Sequence, residues 1–590
     1  MTRKLNSILG TSEVLWTLDD LYSGIDDVTI KKDSDWLRKE SSAVEEYAGK
    51  LASLSPTEMQ SLVSRLEAIS VKLGKLSTYA FLNFTTQIQN AKAGAFLQQV
   101  KELGSEIGRQ IVFFELEWNM LPQQTAERYL KAPELAGYRH HLENLRRYAP
   151  HQLSQVEEKL LIDIAPAGRS SWTNLFEKII GHIKFGARQR TEEEVLADLY
   201  SDKREIRCQA ADDLTAGLNS QIHILTHVFN TLLADKMIDD RLRSYSSWVS
   251  SMNLYNEVED RTVEALISAV TSRYDIVQRY YHLKRQMLGL SELADYDRYA
   301  PLPHLPQQTV PWAEARHLVL EAMDHFSPKM ASIAEKFFDR RWIHAPILEG
   351  KRGGAFAHPC VPEIHPYVLV NYTGNIRDIS TVAHELGHGV HQYLAAGQGY
   401  FNSATPLVLA ETASVFAELL LFKFQLKSIA NEEERKAFTC QKLESIFATV
   451  FRQIAMNRFE NAVHLARREK GELAAEDISA QWRATQSVMF ADSVVLRSEY
   501  DIWWSYIPHF VSSPGYVYSY AFGELLVLSL YAIYQERGDS FVPMYLDLLA
   551  AGGSRSPSTL LAPFGINLDD PAFWGQGLDF IDSMLREIES

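Results

Sequence analysis

The chain has 590 residues, of which 46% are hydrophobic and 23% are charged, and its formal net charge at pH 7 is −16. This composition is typical of a soluble globular protein and excludes both a disordered and a membrane-embedded chain. Because 75 acidic residues stand against 59 basic ones, the overall field repels nucleic acid and anionic membrane surfaces, and we expect neither as a partner.

The cysteines and the first residues indicate where in the cell the protein is located. Cys208, Cys360 and Cys440 lie far apart and form no CxxC pair, so they predict neither a disulfide framework nor a thiolate zinc site. The first residues lack the apolar stretch of a secretory signal, and no later apolar run is long enough to span a membrane. We therefore expect a cytoplasmic protein.

The first half of the chain repeats the signals that begin α-helices. Residues 55–58, Ser-Pro-Thr-Glu, combine an N-cap serine, a proline at the first helical position and a capping-box glutamate. The same box recurs at Ser154…Glu157 and at Thr191…Glu194. An apolar stripe from Val263 to Val277, with Gly289 near its stop, predicts one further helix with a buried face. These patterns predict a mainly helical protein.

A proline-rich stretch and one β-strand signal follow. Residues 301–306, Pro-Leu-Pro-His-Leu-Pro, with Pro311 beyond them, cannot form a continuous helix and are predicted to connect helical layers. The β-branched and aromatic residues 367–371 predict a short strand. Residues 353–356, Gly-Gly-Ala-Phe, predict its neighbour in a small sheet. An exposed sheet edge could accept an extended peptide as a further strand, and a purely structural hairpin is the alternative.

The motif His384-Glu385-Leu386-Gly387-His388 has the spacing of a metal-dependent hydrolase. Asn375 and Asp378 offer an N-terminal cap, and apolar residues then recur at helical spacing, so the motif is predicted to lie on a helix. On a helix the two histidines share one face, and each can give a ring nitrogen to one zinc ion. Glu385 would lie beside that ion and could take a proton from its bound water.

A catalytic zinc site normally needs a third protein ligand. A metzincin would have a histidine at position 394, but the chain has Leu394, so that class is excluded. A glutamate from a following helix is the alternative, and Glu411 lies in an apolar segment where a carboxylate would be costly without a cation. Glu418 is predicted to share its helical face and to orient a ligand, with an ordinary salt bridge as the alternative. His391 is expected to be packed or to lie behind a metal ligand, and not to bind the metal.

The surrounding sequence closely resembles the oligoendopeptidase F branch of the thimet oligopeptidase-like M3 metallopeptidases. The segments that carry the resemblance are 365–372 (His-Pro-Tyr-Val-Leu-Val-Asn-Tyr), 383–391 (Ala-His-Glu-Leu-Gly-His-Gly-Val-His), 411–418 (Glu-Thr-Ala-Ser-Val-Phe-Ala-Glu), 507–510 (Ile-Pro-His-Phe) and 514–523 (Pro-Gly-Tyr-Val-Tyr-Ser-Tyr-Ala-Phe-Gly). The resemblance implies a mainly α, two-lobed fold around a deep substrate channel, with a small β-sheet beside the motif helix. It also implies a helical N-terminal extension over residues 1–200 and a catalytic zinc metallopeptidase region over residues 201–590.

The resemblance also implies roles for individual residues. The ligands of one Zn²⁺ per chain would be His384, His388 and Glu411, and Glu385 would be the general base. His509 with Tyr516 or Tyr520 would donate hydrogen bonds to the oxyanion of the tetrahedral intermediate, and the nearby Tyr518 leaves the choice among the tyrosines open. The residues expected to bind substrate are Gly354, Ala355, His365 and Tyr367.

These features predict a zinc-dependent endopeptidase that hydrolyses short, unfolded oligopeptides by Glu-assisted attack of zinc-bound water. A helical zinc carboxypeptidase of the Taq type shares this outline, but its third ligand follows a histidine, whereas Ala410 precedes Glu411 here. The third hypothesis is that the protein is an inactive, peptide-binding relative of these enzymes. The intact set of zinc ligands and an intact Glu385 argue against it.

Overall fold

The computed structural model describes residues 2–165, 167–303 and 309–589. This part of the chain is mainly α-helical with one small β-sheet, as predicted. The helices before residue 304 are α1 (Thr2–Leu9), α2 (Val28–Glu45), α3 (Pro56–Thr85), α4 (Ala91–Ile111), α5 (Phe113–Met120), α6 (Gln123–Leu130), α7 (Arg139–Arg147), α8 (Gln155–Ile164), α9 (Arg169–His182), α10 (Glu192–Asp198), α11 (Arg204–Asn219), α12 (Ile222–Leu242), α13 (Ser250–Tyr255), α14 (Asp260–Thr271) and α15 (Tyr274–Met287). None of the described helices is both long and apolar enough to cross a membrane.

The second half of the chain contains the strands and the remaining helices. The strands are β1 (Ile343–His344), β2 (Phe356–His358) and β3 (Tyr367–Leu369). The helices are α16 (Trp312–Phe326), α17 (Pro328–Asp339), α18 (Ile376–Ala395), α19 (Tyr400–Ser403), α20 (Leu407–Ala410), α21 (Ser414–Ser428), α22 (Glu432–Thr449), α23 (Phe451–Lys470), α24 (Ala475–Phe490), α25 (His509–Ser512), α26 (Tyr518–Arg537), α27 (Phe541–Ala550), α28 (Pro557–Leu561) and α29 (Pro571–Glu589). Short 3₁₀ helices lie at Leu51–Ser53, Pro133–Tyr138, Ala149–His151, Asp295–Tyr299, Ala396–Gln398, Ser498–Tyr506, Gly538–Ser540 and Ala562–Phe564.

The chain divides into two compact units, each built from three chain segments. The first unit comprises Met1–Gln152, Gln307–Gln425 and Ile533–Gly565, and the second comprises Leu153–Pro306, Leu426–Ala532 and Ile566–Ser590. The first unit has an apolar core formed mainly by α2, α3, α4 and β3. The second has a separate core formed by α11, α12, α23, α24 and the 3₁₀ helix that follows α24. The boundary placed at residue 200 from the sequence stays a prediction.

The helix-start signals begin helices where they are predicted. Ser55, Ser154 and Thr191 are the N-caps of α3, α8 and α10, and each forms its capping box. The apolar stripe that starts at Val263 is divided between α14 and α15, because the backbone of Arg273 leaves the helical conformation between them. Both helices pack against α29. The buried face is therefore confirmed, whereas the single continuous helix is wrong.

The proline-rich stretch is only partly within the described residues. Pro301, Leu302 and Pro303 are not helical, and Pro311 is the N-cap residue of α16. His304, Leu305 and Pro306 lie outside the described residues. The described part is thus non-helical, as the prolines predict.

The sheet has the strand order β1-β3-β2, so β3 is its central strand. It pairs in parallel with β1 and antiparallel with β2, and Val368 lies opposite both Ile343 and Ala357. The predicted strand and its predicted neighbour are both confirmed, although β3 ends at Leu369 rather than at Asn371. Because β3 has a partner on each side, only β1 and β2 have an outer side that a further strand could meet.

The metal motif lies on α18, as predicted. Asn375 is the N-cap of this helix, and Asp378 completes a capping box. A glycine allows the helix to approach the segment that carries Glu411: a Cβ atom at Gly387 would lie 2.5 Å from the carbonyl oxygen of Ala413. No side chain larger than hydrogen fits at that position without movement of the backbone.

Replacing Gly387 with alanine is expected to destabilise the protein by about 1–3 kcal/mol, the usual cost of overpacking a dense contact. The added methyl group would meet backbone atoms of Ala413 and Ser414, which cannot rotate away as a side chain can. Urea or thermal unfolding measures the difference. Gly397→Ala is the matched control, because a Cβ atom there meets nothing within 4 Å. An equal loss of stability in both variants would contradict the prediction.

Candidate metal and peptide-binding site

Three potential metal ligands converge in the first unit. His384 and His388 lie one turn apart on α18, and their ring centroids are 4.9 Å apart. The Oε2 atom of Glu411 lies 3.4 Å from Nε2 of His384 and 3.5 Å from Nε2 of His388. One ligand atom from each of the three residues lies within 4.8 Å of the others. His391, on the same helix, is buried.

The spacing of these atoms fits zinc. Zinc bonds to imidazole nitrogen and carboxylate oxygen are about 2.0–2.2 Å long, and tetrahedral bonds of that length set neighbouring ligand atoms about 3.3 Å apart. Both nitrogen–oxygen separations are close to this value. Two imidazoles with one carboxylate also form a donor set of catalytic zinc sites. A tetrahedral ion held by three such ligands keeps one position open.

Glu411 lies in a turn and not on one helix with Glu418. α20 ends at Ala410 and α21 begins at Ser414, and residues 411–413 form a turn between them. The two glutamates therefore do not share one continuous helix, although both face the ring of His384. Sequence reasoning also missed Ser414, whose hydroxyl donates a 2.6 Å hydrogen bond to Oε2 of Glu411.

Each of the two histidine rings also lies next to a hydrogen-bond acceptor other than Glu411. Oε2 of Glu418 lies 3.5 Å from Nδ1 of His384, and the backbone carbonyl of Ala410 accepts a hydrogen bond from the ring of His388. Partners of this kind fix the tautomer and the orientation of a metal-binding imidazole. The position of Glu418 therefore suits an orienting role even though it does not share a helix with Glu411.

Nearby carboxylates make His384 unusually basic. Burial by itself would lower the pKa of His384, but the hydrogen bond with Glu418 and the charges of Glu411 and Glu385 outweigh burial and raise the pKa to about 9. Without a metal ion, the imidazole therefore carries a proton at neutral pH. The surrounding negative charge would equally stabilise a divalent cation at this place.

Replacing Glu418 with glutamine is expected to weaken zinc binding by about 10- to 100-fold, the usual effect of losing the partner behind a metal ligand. Glutamine keeps the size of the side chain but removes the charge that faces Nδ1 of His384. Competition with a coloured zinc chelator measures the affinity. Glu432→Gln is the control, because Glu432 is 82% exposed and lies in the second unit. Unchanged affinity in Glu418→Gln would refute the role.

Glu385 has the environment of a proton acceptor. Its residue is 7% exposed, and the backbone N–H of Ala357 in β2 donates a hydrogen bond to its carboxylate. Burial raises the pKa of Glu385 to about 7, while His384 lowers it and Glu411 raises it further. A carboxyl group with a pKa near neutrality can both accept and release a proton at physiological pH.

The hydrogen bond of Ala357 identifies the strand that borders Glu385. The N–H of Ala357 is directed to Glu385, and its carbonyl oxygen lies 3.5 Å from Nε2 of Gln392, so the outer side of β2 faces α18. Gly354 and Ala355 directly precede β2, and Gly354 has a φ of +76° that favours glycine. The predicted contacts of Gly354 and Ala355 with substrate stay predictions.

Two other residues predicted to bind substrate are packed into the protein. Tyr367 is fully buried in the core of the first unit. It lies in β3, the central strand of the sheet, and its predicted contact with substrate stays a prediction. His365 stacks on Trp342 with 3.9 Å between ring centroids, and its Nε2 lies 3.0 Å from Oδ2 of Asp20. Only 9% of the His365 side chain is exposed, and its contact with substrate stays a prediction.

The second unit contains a cluster of one histidine and two tyrosines. Nε2 of His509 lies 3.1 Å from the hydroxyl of Tyr520. The ring of Tyr516 is parallel to that of His509 at 6.2 Å and perpendicular to that of Tyr520 at 4.9 Å. All three side chains are half-buried. Burial, with a smaller contribution from the charge of Arg452, lowers the pKa of His509, so the imidazole is neutral at physiological pH.

Tyr518 is separate from this cluster. It is fully buried, and its hydroxyl accepts a 2.9 Å hydrogen bond from Nδ2 of Asn256. The preceding turn is fixed by Gly515, whose N–H donates to Oε1 of Glu460 at 3.0 Å and whose φ is +80°. Of the tyrosines between which the sequence left the choice open, Tyr516 and Tyr520 are therefore the ones that accompany His509.

The chain is similar to known peptidases over its whole length. The sequence model described as Peptidase family M3 matches residues 198–580, and the one described as Oligopeptidase F matches residues 117–185. Oligopeptidase PepF of Bacillus subtilis is 27% identical over 100% of this chain and 89% of its own. The plasmid oligoendopeptidase F of Lactococcus lactis subsp. cremoris is 25% identical over 100% of this chain and 98% of its own.

Solved structures share the fold. A crystal structure of a protein from Chlamydophila abortus matches with a TM-score of 0.85 and 25% identity over 98% of each chain. Oligoendopeptidase F from Enterococcus faecium matches with a TM-score of 0.73 and 20% identity over 95% of this chain and 98% of its own. Because the M3 sequence model covers well over half of the residues, the chain belongs to peptidase family M3 and is a metalloendopeptidase of the oligoendopeptidase F type.

Proposed function

We propose that the protein is a zinc-dependent endopeptidase that hydrolyses short oligopeptides. The observation that carries the proposal is the convergence of Nε2 of His384 and Nε2 of His388 on Oε2 of Glu411, with Glu385 next in the chain to the first ligand. Zinc bound there would supply a Lewis acid that polarises a peptide carbonyl and makes water acidic enough to react at neutral pH. Membership of peptidase family M3 supports this chemistry.

Glu385 would move the proton in this reaction. Its carboxylate would accept a proton from the attacking water and later give it to the leaving amine. A pKa near 7 suits both steps, because neither the acid nor the base form is strongly favoured at neutral pH. The N–H of Ala357 would hold the carboxylate in one orientation. Water is the nucleophile, so no covalent acyl-enzyme is expected.

His509, Tyr516 and Tyr520 would stabilise the negative charge that develops on the carbonyl oxygen. Neutral phenols and a neutral imidazole are hydrogen-bond donors that suit an oxyanion. The contact between Nε2 of His509 and the hydroxyl of Tyr520 supports their action as one group. The lowered pKa of His509 fits a donor that stays neutral and does not form an ion pair with substrate.

The main chain of Gly354 and Ala355, just before β2, would bind the peptide main chain, because the N–H of Ala357 in β2 is directed to Glu385. Strand addition gives affinity through backbone hydrogen bonds and demands little of the peptide sequence. This fits extended, unfolded peptides and supports the relevance of Gly354 and Ala355, which lead into the strand. The deep channel and the N-terminal extension over residues 1–200 are part of the same proposal and come from the resemblance.

A cleavage map tests the proposal. A peptide blocked at both ends and its free-ended counterpart are incubated with the protein, with and without a zinc chelator, and the products are identified by mass spectrometry. We expect internal cleavage of both peptides, its loss with chelator and its return with added zinc. Cleavage that resists the chelator would overturn the zinc dependence. If only the free-ended peptide is cleaved, and only its last residue is removed, the result would support the carboxypeptidase. Zinc-loaded protein that binds the peptides but never cleaves them would support the inactive relative.

Replacing Tyr520 with phenylalanine is expected to lower kcat by about 10²- to 10³-fold, the usual cost of removing one oxyanion donor. The variant loses only the hydroxyl that lies 3.1 Å from Nε2 of His509. Steady-state kinetics measure kcat and KM separately, and KM should change little. Tyr518→Phe is the matched control: its hydroxyl serves Asn256 in the interior, so it should cost about 1 kcal/mol of stability and little activity. A kcat of Tyr520→Phe close to that of the wild type would contradict the assignment.

A further inference from the structure

The ammonium group of Lys351 is buried among main-chain carbonyls in the first unit. Lys351 lies between β1 and β2 and is 8% exposed. Its Nζ atom donates hydrogen bonds to the carbonyl oxygens of Val370 at 2.7 Å, of Pro346 at 2.8 Å and of His344 at 3.2 Å. An ammonium has three protons to donate, so the donors here equal the acceptors in number.

Within the described part of the chain, no carboxylate is paired with this ammonium group. Burial lowers the pKa of Lys351, whereas the three carbonyls favour its charged form, since a neutral amine has only two protons for them. The ring of His344 is neutral, because burial and the charge of Lys351 lower its pKa to about 3. A buried cation without a counter-ion adds little net stability, so its main effect is to fix the positions of the three carbonyls.

These hydrogen bonds hold the start of a segment that leads into β2, residues 351–355. The ammonium group joins the first residue of the segment to the chain just beyond β1 and β3. Nδ2 of Asn371 donates to the carbonyls of Arg352 at 3.0 Å and of Gly354 at 2.8 Å. The N–H of Arg352 donates to the carbonyl of Thr85, the last residue of α3, at 2.8 Å. The segment is therefore fixed both to the sheet and to α3.

This segment presents bare main chain to solvent. Gly353 and Gly354 are exposed, and a Cβ atom at either position would meet nothing within 4 Å. Ala355 follows them and lies two residues before Ala357, which is about 7 Å along an extended chain. The N–H of Ala357 donates to the carboxylate of Glu385. Open space beside main-chain groups thus begins close to the proposed proton acceptor.

The two glycines make support from outside the segment necessary. Glycine has the widest choice of backbone conformations and loses the most entropy when it is fixed. A peptide that binds to the main chain of Gly353 and Gly354 would have to order both residues unless other groups had already done so. Restraints that order a binding site beforehand remove this cost from the affinity. The hydrogen bonds of Lys351 and Asn371 provide such restraints.

We propose that Lys351 and Asn371 are positioning residues that hold the main chain of residues 353–355 in the conformation that binds an extended peptide substrate. The inference rests on the proposed function and identifies what fixes its peptide-binding segment. Lys351 would not touch the peptide, because its ammonium group is enclosed and its protons are directed to carbonyls. Both residues would thus act on substrate affinity through the glycines and not on the chemical step.

Replacing Lys351 with methionine is expected to raise KM about 10-fold, the effect of having to order a flexible segment on binding. Methionine has a similar length but no proton to donate. kcat should change less than about threefold, because β2 stays paired with β3 and keeps the N–H of Ala357 at Glu385. Steady-state kinetics with a quenched fluorescent peptide measure both constants. Lys31→Met is the control, because the Lys31 side chain is 82% exposed. An unchanged KM in Lys351→Met would overturn the proposal.

Peptides with an altered main chain separate positioning from a purely structural role. The same peptide is made with one backbone N-methyl group at each position in turn, which removes one N–H and leaves every side chain unchanged. In the wild type, a methyl group at a residue that pairs with residues 353–355 should lower kcat/KM about 10-fold. In Lys351→Met the ratio between the unmodified and the methylated peptide should fall to about one. Equal ratios in both proteins, or no effect of any methyl group in the wild type, would overturn the proposal.

Asn371→Asp tests the same segment if Lys351→Met does not fold. Asn371 is half-buried, and aspartate has the same size but sets a carboxylate oxygen against the carbonyls of Arg352 and Gly354. KM should rise as in Lys351→Met, and the effect of the N-methyl group should again disappear. Asn431→Asp is the matched control, because Asn431 is an exposed N-cap in the second unit, where aspartate serves equally well. Wild-type kinetics in Asn371→Asp would overturn the proposal.

Hydrogen exchange and direct binding separate this proposal from the proposed function. Amide exchange of residues 351–358, followed by mass spectrometry without substrate, should be faster in Lys351→Met than in the wild type, while exchange in α18 stays unchanged. The affinity of the peptide for chelator-treated protein, measured by fluorescence anisotropy, should fall about 10-fold in the variant. Both results together with absent hydrolysis would leave the positioning role standing and overturn the peptidase mechanism. Hydrolysis with equal exchange and equal KM in both proteins would do the reverse.

Discussion

Replacing Glu385 with glutamine is expected to lower kcat by about 10²- to 10⁴-fold, the range that a general base contributes. Glutamine has the size and shape of glutamate and can still accept a hydrogen bond from Ala357, but it cannot take a proton from water. Because Glu385 is not among the converging ligand atoms, zinc content should equal that of the wild type. Steady-state kinetics and elemental analysis measure the two quantities on the same sample.

The pH dependence of stability gives this variant an independent check. Burial raises the pKa of Glu385 in the folded protein to about 7, above its ordinary value. The stabilisation from its protonated form is therefore present at acid pH and is lost as pH rises through 7. Metal-free Glu385→Gln should unfold at a higher temperature than metal-free wild type at pH 8 and at a similar temperature at pH 5. The control Glu13→Gln changes an exposed residue and should alter neither kcat nor the pH dependence of the unfolding temperature. Retained turnover in Glu385→Gln would contradict the general-base role.

Local signals in the sequence are sufficient to locate the metal helix. Asn375 and Asp378 form the predicted capping box. The spacing of the apolar residues predicts a helix that includes both histidines, as observed. The cost of burying a carboxylate in an apolar segment was sufficient to select Glu411, whose Oε2 does lie between the two histidine nitrogens. Capping and desolvation act over a few residues, and for that reason they can be predicted from a single chain.

Features set by tertiary contacts could not be predicted in the same way. The turn at residues 411–413 interrupts an apolar run that has helical character throughout. The burial of Tyr367 depends on β1, a strand of only two residues whose pairing with β3 has no strong local signal. The separation of Tyr520 from Tyr518 depends on Asn256, which is far away in the sequence. Each of these outcomes needs a partner that local spacing does not identify.

Replacing His388 with alanine is expected to abolish stoichiometric zinc binding and, with it, nearly all peptidase activity. The change removes one of three converging donors, and the two that remain, His384 and Glu411, leave the ion without the usual protein ligand set. Zinc at 1,000 times its Kd stabilises a folded protein by about 4.1 kcal/mol, so zinc should raise the unfolding temperature of the wild type but not of the variant. Thermal unfolding with zinc and with chelator measures this difference without any substrate.

The zinc-dependent shift also distinguishes ligand loss from general damage. Alanine in place of a half-buried imidazole lowers stability in its own right, and that loss should be the same with zinc and with chelator. Only the gain on adding zinc depends on the metal site, so this gain should disappear while the chelator-treated variant still unfolds cooperatively. His317→Ala is the control, because the His317 side chain is 65% exposed, and it should keep both zinc and activity. If His388→Ala binds one zinc ion as tightly as the wild type, His388 is not a ligand, and the proposed geometry of attack by water fails with it.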